Sequence, residues 1–396
     1  MRILLVSHAR KNPDAGASRI HHLLADGLRG RGHEVADVHL DDARSVADPI
    51  DLLARRLAFP QVMSRAARRA GAEGPEGFDV VMGSSGMTAP LFARLRRRDR
   101  DGAQRPLLVN HLHGLAVYDH LANTSQHDLG LAPTTLAYRL VTGPRQVAWD
   151  ARGIAAADVT VVQNLRDASY LAQRFPTSPS VLVPPCVAPS LERLATSTAT
   201  ATSPRRGPRL VWFGTWEARK GAHLVPLALR EIRRRHPQVR LTVGGTSRTP
   251  SEIREHFAVE DRASVEVLDH VSLARQAEVF RESSMLLFPS LSEGFGLAVI
   301  EAAAFGCVPV TTATGVGADH LVDGVHGAVV APTSLHLAAA VGRLLDDPLE
   351  LAAMSRRVAG LAATFSAAAM VDAYEDLFTG EGHARPAVPL LSRSAR

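Results

Sequence analysis

The sequence predicts an α/β chain of two doubly wound parallel-sheet domains, and three observations predict it. Short apolar runs bounded by polar residues recur along the chain, with stretches of helical periodicity between them. The series is broken once, near the middle, by a stretch of Ala, Ser, Thr and Pro without periodicity. The 396 residues, 46% apolar and 21% charged, suffice for two sizeable cores.

The first run, Ile3-Leu4-Leu5-Val6, has the continuous apolar character of a strand buried on both faces of a parallel sheet. A loop with Asn12, Pro13, Asp14 and Gly16 follows. Ile20, Leu23, Leu24 and Leu28 then recur at helical spacing, and Gly30 and Gly32 close that helix. Further strands are expected at Val35 to Leu40, Asp79 to Met82, Leu107 to Val109 and Val159 to Val162. Residues 188–208 read as the linker. Beyond it, strands are expected at Arg209 to Phe213, Arg240 to Val243, Val265 to Leu268, Met285 to Phe288, Val308 to Thr311 and Ala328 to Val330. Ligands of such paired sheets are expected between the domains. The tail from Glu381 has disordered composition.

The net charge of +5 comes almost entirely from arginine, since Lys11 and Lys220 are the chain's lysines. Coding bias explains an Arg- and Ala-rich chain more simply than an anionic partner does. Arginines cluster from Arg55 to Arg69 and from Arg94 to Arg100; such runs are usually solvated faces, and nucleic acid or anionic lipid is the other reading. No nucleic-acid partner is expected, and peripheral membrane contact stays open. Cys186 and Cys307 offer neither a disulfide framework nor metal spacing. The four-residue apolar start is too short for a signal peptide or a membrane span, so a cytoplasmic protein is expected.

The segment richest in chemistry is PSLSEGFGLAVIEAAAFGCVPV, Pro289 to Val310. A buried strand leads into a glycine-bearing loop and then a helix from Leu297 to Phe305. Gly294 and Gly296 let the backbone approach a ligand, and the helix start offers unpaired N–H groups suited to a diphosphate. Glu293 and Glu301 flank this anion site. A carboxylate there would repel phosphate unless it accepts hydrogen bonds from vicinal hydroxyls. The plainer alternative is that both merely favour the helix N-terminus.

Glu293 and Glu301 match the paired-glutamate E-x7-E motif of the retaining glycosyltransferases of family 4, which the chain therefore resembles. The match continues through Gly315, Gly317, Asp319, Asp323-Gly324 and Gly327, then Leu344 to Pro348. Upstream, Val211-Trp212-Phe213-Gly214 and Arg219-Lys220-Gly221 look like the family's strand-and-lysine motif, and the Gly16 loop and Gly32-His33-Glu34-Val35 also fit.

The resemblance implies a GT-B fold of two Rossmann-like domains facing a central cleft. Residues 1–187 would bind the acceptor and residues 209–364 the nucleotide sugar. A terminal helix at 365–380 would pack back on the N-domain, and 381–396 would be a tail. It implies that Glu301 holds the ribose and Glu293 the donor sugar, with Phe295, Gly296 and Leu297 meeting sugar and diphosphate through N–H groups. Lys220 would neutralise the leaving diphosphate, His270 and Val271 would face the base, and Gly16 would let its loop close over the phosphate. His113 ends a strand where family members place a histidine near the donor sugar; a satisfied polar strand end is the equal alternative. The family's arginine after the strand-ending glycine is here Thr215; either Arg219 or Arg19 replaces it, or the site depends mostly on Lys220 and the helix start.

The expected activity is retaining, metal-independent hexosyl transfer from a UDP- or GDP-sugar co-substrate, with no cofactor, to a natural product or envelope glycan. Asp41-Asp42 and Asp346-Asp347 are adjacent pairs, not the Asp-x-Asp of a metal-dependent transferase. No G-x-G-x-x-G follows the first strand, which argues against a nicotinamide enzyme. A GT-B nucleotide-sugar epimerase and a weakly catalytic nucleotide-sugar-binding relative are the rival readings. Alanine at Glu301 or Lys220 is expected to abolish turnover with the melting temperature nearly unchanged.

Overall fold

The computed structural model describes residues 1–12, 16–44, 52–70, 74–99, 105–196 and 207–380, with residues 17, 43–44, 52–59 and 98–99 described as backbone only. The linker residues 197–206, the tail from Glu381, and the side chains of Arg55 and Arg56 lie outside that description. The chain divides into two compact units. One comprises Met1–His120, Thr135–Cys186 and the described residues from Ala367 to Gly380; the other comprises Leu121–Thr134 and Val187–Ser366.

Strands of the first unit are β1 (Arg2–Val6), β2 (Glu34–Val38), β3 (Val80–Ser84), β4 (Leu107–His111), β5 (Val159–Val162) and β6 (Ser180–Leu182). They form one parallel sheet in the order β2-β1-β3-β4-β5-β6. The apolar run of β1 sits between two neighbours with Ile3, Leu4 and Leu5 at 0% exposure, which explains its lack of alternation. Edge strand β6 has no counterpart in the sequence reading. Its three half-buried residues are too few to show a period.

Helix Gly16–Gly30 lays its apolar face on this sheet, and helix Ala367–Thr379 packs against it. A Cβ at Gly27 would come within 2.4 Å of a Val371 methyl, so a glycine there permits the close crossing. Arg31 bridges Asp372 and Glu375, and His33 Nε2 lies 2.8 Å from the same glutamate.

The second unit has β7 (Arg209–Phe213), β8 (Arg240–Gly244), β9 (Val265–Val267), β10 (Met285–Phe288), β11 (Val308–Thr311) and β12 (Ala328–Val329). They form a second parallel sheet in the order β12-β11-β10-β7-β8-β9. Its core gathers Leu210, Trp212, Leu241, Val243, Met285 and Leu287 from the strands with Val225, Leu229 and Ile232 from helix Leu224–Arg235. Within the stretch read as linker, Pro189–Thr196 is a helix anchored by the fully buried Leu191.

Strand order sets two loops side by side. The chain runs β7, β8, β9 outward and then returns to place β10 on the other side of β7. The loops leaving the carboxyl ends of β7 and β10 therefore diverge side by side. Such a switch point is where open α/β sheets bind ligands.

Candidate functional site

The loop after β7 carries Thr215, a 3-10 turn Ala218–Lys220 and Gly221; the loop after β10 carries Pro289 to Gly296. The two are laced together. Leu291 donates its N–H to Arg219 O at 2.7 Å. Gly221 adopts φ +64°, and a Cβ there would meet Pro289 O at 2.0 Å. A glycine is needed on both counts.

This lacing brings Lys220 onto Glu293. The ammonium donates to both carboxylate oxygens at 2.5 and 2.6 Å, with side chains only 16% and 5% exposed. The Lys220 Nζ also sits 5.7 Å from the centre of the Phe288 ring. An ion pair this sheltered from water is stronger than a surface pair.

The next residues turn the chain into helix Leu297–Ala304. Gly296 supplies φ +100° at the N-cap, a conformation disfavoured for other residues. The loop after β11 holds this turn from behind: Val316 donates to Phe295 O at 2.7 Å, and Thr312 Oγ1 donates to Ser290 O. Phe295 is 3% exposed and stacks edge-on against Phe365, 5.4 Å between centroids. Phe295, Gly296 and Leu297 thus stand at a fixed helix start whose leading N–H groups lack intrahelical acceptors.

Glu301, in the second turn, is 4% exposed. It accepts a 2.8 Å hydrogen bond from Gln276 Nε2 on helix Leu273–Glu282. Gln276 escaped the sequence reading, because a partner 25 residues away on another helix leaves no local signal. The same is true of Asn123, whose Oδ1 accepts the Arg219 N–H at 3.1 Å.

Thr215 is half-buried beside the exposed Glu217, to which Arg219 directs its Nε–H at 2.9 Å. His270 is exposed and Val271 half-buried in the turn between β9 and the helix of Gln276. Lys220, Glu293, Gly294, Phe295, Gly296 and Leu297 gather at the switch point.

Gly16, His113 and Arg19 belong to the first unit. Gly16 is exposed at the start of its helix; Arg19 is 5% exposed. His113 joins a histidine group unforeseen from the sequence. Its ring lies 4.4 Å from His111 and 5.6 Å from His8, while His39 packs on His21 and His22 at 5.0 and 4.8 Å. Burial and the neighbouring imidazoles push His113 well below the ordinary histidine value, so it is neutral. Burial likewise lowers His111 to about 4, and its Nε2 meets Gln163 Nε2 at 3.1 Å. Asn164 caps helix Leu165–Arg174 by accepting the Asp167 N–H at 2.7 Å. Burial pushes Asp167, and Asp150 on helix Gly143–Ala156, up to about 7.

Among the described residues no group of three or more His, Cys, Asp or Glu could hold a metal ion, and no helix is long and apolar enough to cross a membrane.

Residues 207–347 match the family model described as "Glycosyl transferases group 1". Over its whole length the chain is 27% identical to a glycogen synthase of Mycobacterium tuberculosis, covering 99% of that protein. It is 28% identical to a D-inositol 3-phosphate glycosyltransferase of Segniliparus rotundus over 64% of this chain and 59% of the relative. A sucrose-phosphate synthase structure from Thermosynechococcus elongatus superposes with a TM-score of 0.75 at 18% identity, covering 96% of this chain and 99% of that one. With its group 1 segment and two parallel-sheet α/β units of the GT-B type, the chain is a glycosyltransferase.

Proposed function

We propose that the chain is a retaining, family 4-type enzyme that transfers a hexosyl group from a UDP- or GDP-sugar without a metal ion. One observation supports the reading: Lys220 is bonded to Glu293, four residues before the start of helix Leu297–Ala304, and the buried Glu301 lies in that helix's second turn. Cation and helix start suit a diphosphate. The carboxylates suit hydroxyl groups, Glu301 those of the ribose and Glu293 those of the sugar.

In the reaction the bond between the anomeric carbon and the diphosphate oxygen breaks through an oxocarbenium-like state. Negative charge grows on the leaving diphosphate, and stabilising it is the protein's main task. Lys220 and the N–H groups of Phe295, Gly296 and Leu297 do this. Lys220 donates to Glu293, so a diphosphate competes with that carboxylate for the ammonium and frees it toward the sugar. Retention follows from attack of the acceptor on the face the diphosphate leaves, the acceptor's proton passing to the departing phosphate oxygen. His270 and Val271 are assigned to the base. We assign the acceptor to the first unit, where the neutral His113 can accept a hydrogen bond from a hydroxyl. A natural product or an envelope glycan fits this reading.

Arg219 is already turned to Glu217, so we assign no diphosphate contact to its guanidinium. Thr215 leaves the clamp one cation short, which favours the binding-only relative as a second reading.

NMR of donor turnover tests both. Expected is slow hydrolysis of one class of nucleotide sugar, faster transfer with retained anomeric configuration once an acceptor is found, and survival in EDTA. Full activity in Glu301→Ala or Lys220→Ala, or an EDTA loss that manganese restores, contradicts the proposal. Binding without any turnover supports the second reading.

A further inference from the structure

Helix Gly143–Ala156 continues a π-helical turn, Tyr138–Thr142, with right-handed helical angles at the junction. Along this continuous helix Leu140, Pro144, Ala148, Arg152 and Ala155 face solvent at intervals of one turn. One turn earlier stands Leu136; it and Leu140 are 66% and 68% exposed. An outward helix face is ordinarily polar, and this one is apolar with a single arginine.

The stripe leads into an open groove of about 600 Å³ between this helix and helix Ala89–Asp99. Ala89, Pro90, Ala93, Trp149 and Ala156 make it apolar, while Arg96, Arg97 and Arg152 line it with positive charge. Arg96 is fixed by Asp158 at 2.9 Å and Ala157 O at 2.7 Å, and its buried Nε–H meets no acceptor among the described residues. Arg97 and Arg152 are exposed and make no hydrogen bond or ion pair among the described residues. A soluble sugar phosphate has no use for Leu136 and Leu140. An apolar protein face would strand the two arginines. An anionic amphiphile satisfies both, with acyl chains against the stripe and phosphate against the guanidinium groups.

We propose that this face of the first unit docks on an anionic phospholipid bilayer, with Leu136 and Leu140 entering the acyl boundary and headgroup phosphates held by Arg97 and Arg152. It uses Arg97, from a basic run that donor binding leaves unexplained, and it stands or falls independently of the donor site.

The test uses the full chain with vesicles of phosphatidylcholine alone or mixed with phosphatidylglycerol. Trp212 and Trp216 are 1% and 5% exposed, so a blue shift of tryptophan emission on binding reports the half-buried Trp149. Expected is co-sedimentation and a blue shift with the mixed vesicles only. Binding should fall at least roughly tenfold in Arg97→Gln/Arg152→Gln, because two basic residues are removed from an anionic surface, and again in Leu136→Asp/Leu140→Asp, with unchanged melting temperature in both. Failure to bind the mixed vesicles overturns the proposal. So does equal binding by folded variants, which would place any lipid contact on another basic surface.

Discussion

Lys220 and Glu293, 73 positions apart in sequence, meet through two hydrogen bonds of 2.5 and 2.6 Å at the switch point of the second sheet. The pair revises what the sequence alone suggested about Lys220. Its side chain is mostly buried against a carboxylate that is 5% exposed, so removing it costs stability as well as charge. Lys220→Ala should lower unfolding free energy by about 2 kcal/mol, somewhat below the loss from breaking a fully buried pair. Lys220→Ala/Glu293→Gln should recover part of that loss in urea titrations. Equal stability of the single and double variants would mean that the two groups do not interact in solution.

Gln276 holds Glu301 through a 2.8 Å hydrogen bond in a buried setting. Gln276→Leu should weaken nucleoside diphosphate binding about tenfold, the equivalent of roughly 1.4 kcal/mol, because the carboxylate loses the donor that orients it. Calorimetric titration of wild type and variant checks this. Undiminished affinity would show that Glu301 is oriented by other contacts.

Gly221 has φ +64° and would place a Cβ 2.0 Å from Pro289 O. Gly221→Ala should therefore destabilise by more than about 1 kcal/mol. It should also impair nucleotide binding, since Lys220 is the preceding residue. Thermal melts with and without nucleotide separate the two effects.

Much of this was legible in the sequence. Strands such as β1 and β10, buried on both faces, announce themselves as unbroken apolar runs, and the glycines at 294 and 296 mark the turn from strand into helix. The edge strand β6 and the helix Pro189–Thr196 were not legible, because a three-residue strand and a helix anchored by one leucine carry no period. Partnerships escaped as well. Asn123 reaches Arg219 across 96 positions, and the six histidines His8, His21, His22, His39, His111 and His113 cluster only because strand ends and one helix bring them together.

Asp150 and Asp167 give the first unit a pH signature. Burial raises each from an ordinary 3.8 to about 7, so each favours the folded state most below pH 3.8 and loses that contribution as pH rises through about 7. Asp150→Asn/Asp167→Asn should raise stability at about pH 8 and flatten its fall between about pH 5 and that value. Asn keeps an acceptor for the Ala116 N–H that Asp150 takes at 2.8 Å. An unchanged pH profile would show that folding does not raise the pKa of either carboxyl.

The histidines act in the opposite sense. Burial lowers His21 to about 3 and His111 to about 4, so the unfolded chain binds protons first and stability is lost as pH falls from about 6.5 toward those values. In wild type the two aspartates offset this loss. In Asp150→Asn/Asp167→Asn the acid-side slope should steepen, as urea titrations between about pH 6 and 4 would show.

The most direct measurement is a crystal structure of the chain soaked with UDP or GDP. The diphosphate should lie on the N–H groups of Phe295, Gly296 and Leu297 with Lys220 swung toward it, and the ribose hydroxyls on Glu301. A nucleotide found elsewhere, with the Lys220–Glu293 pair undisturbed, would contradict the account.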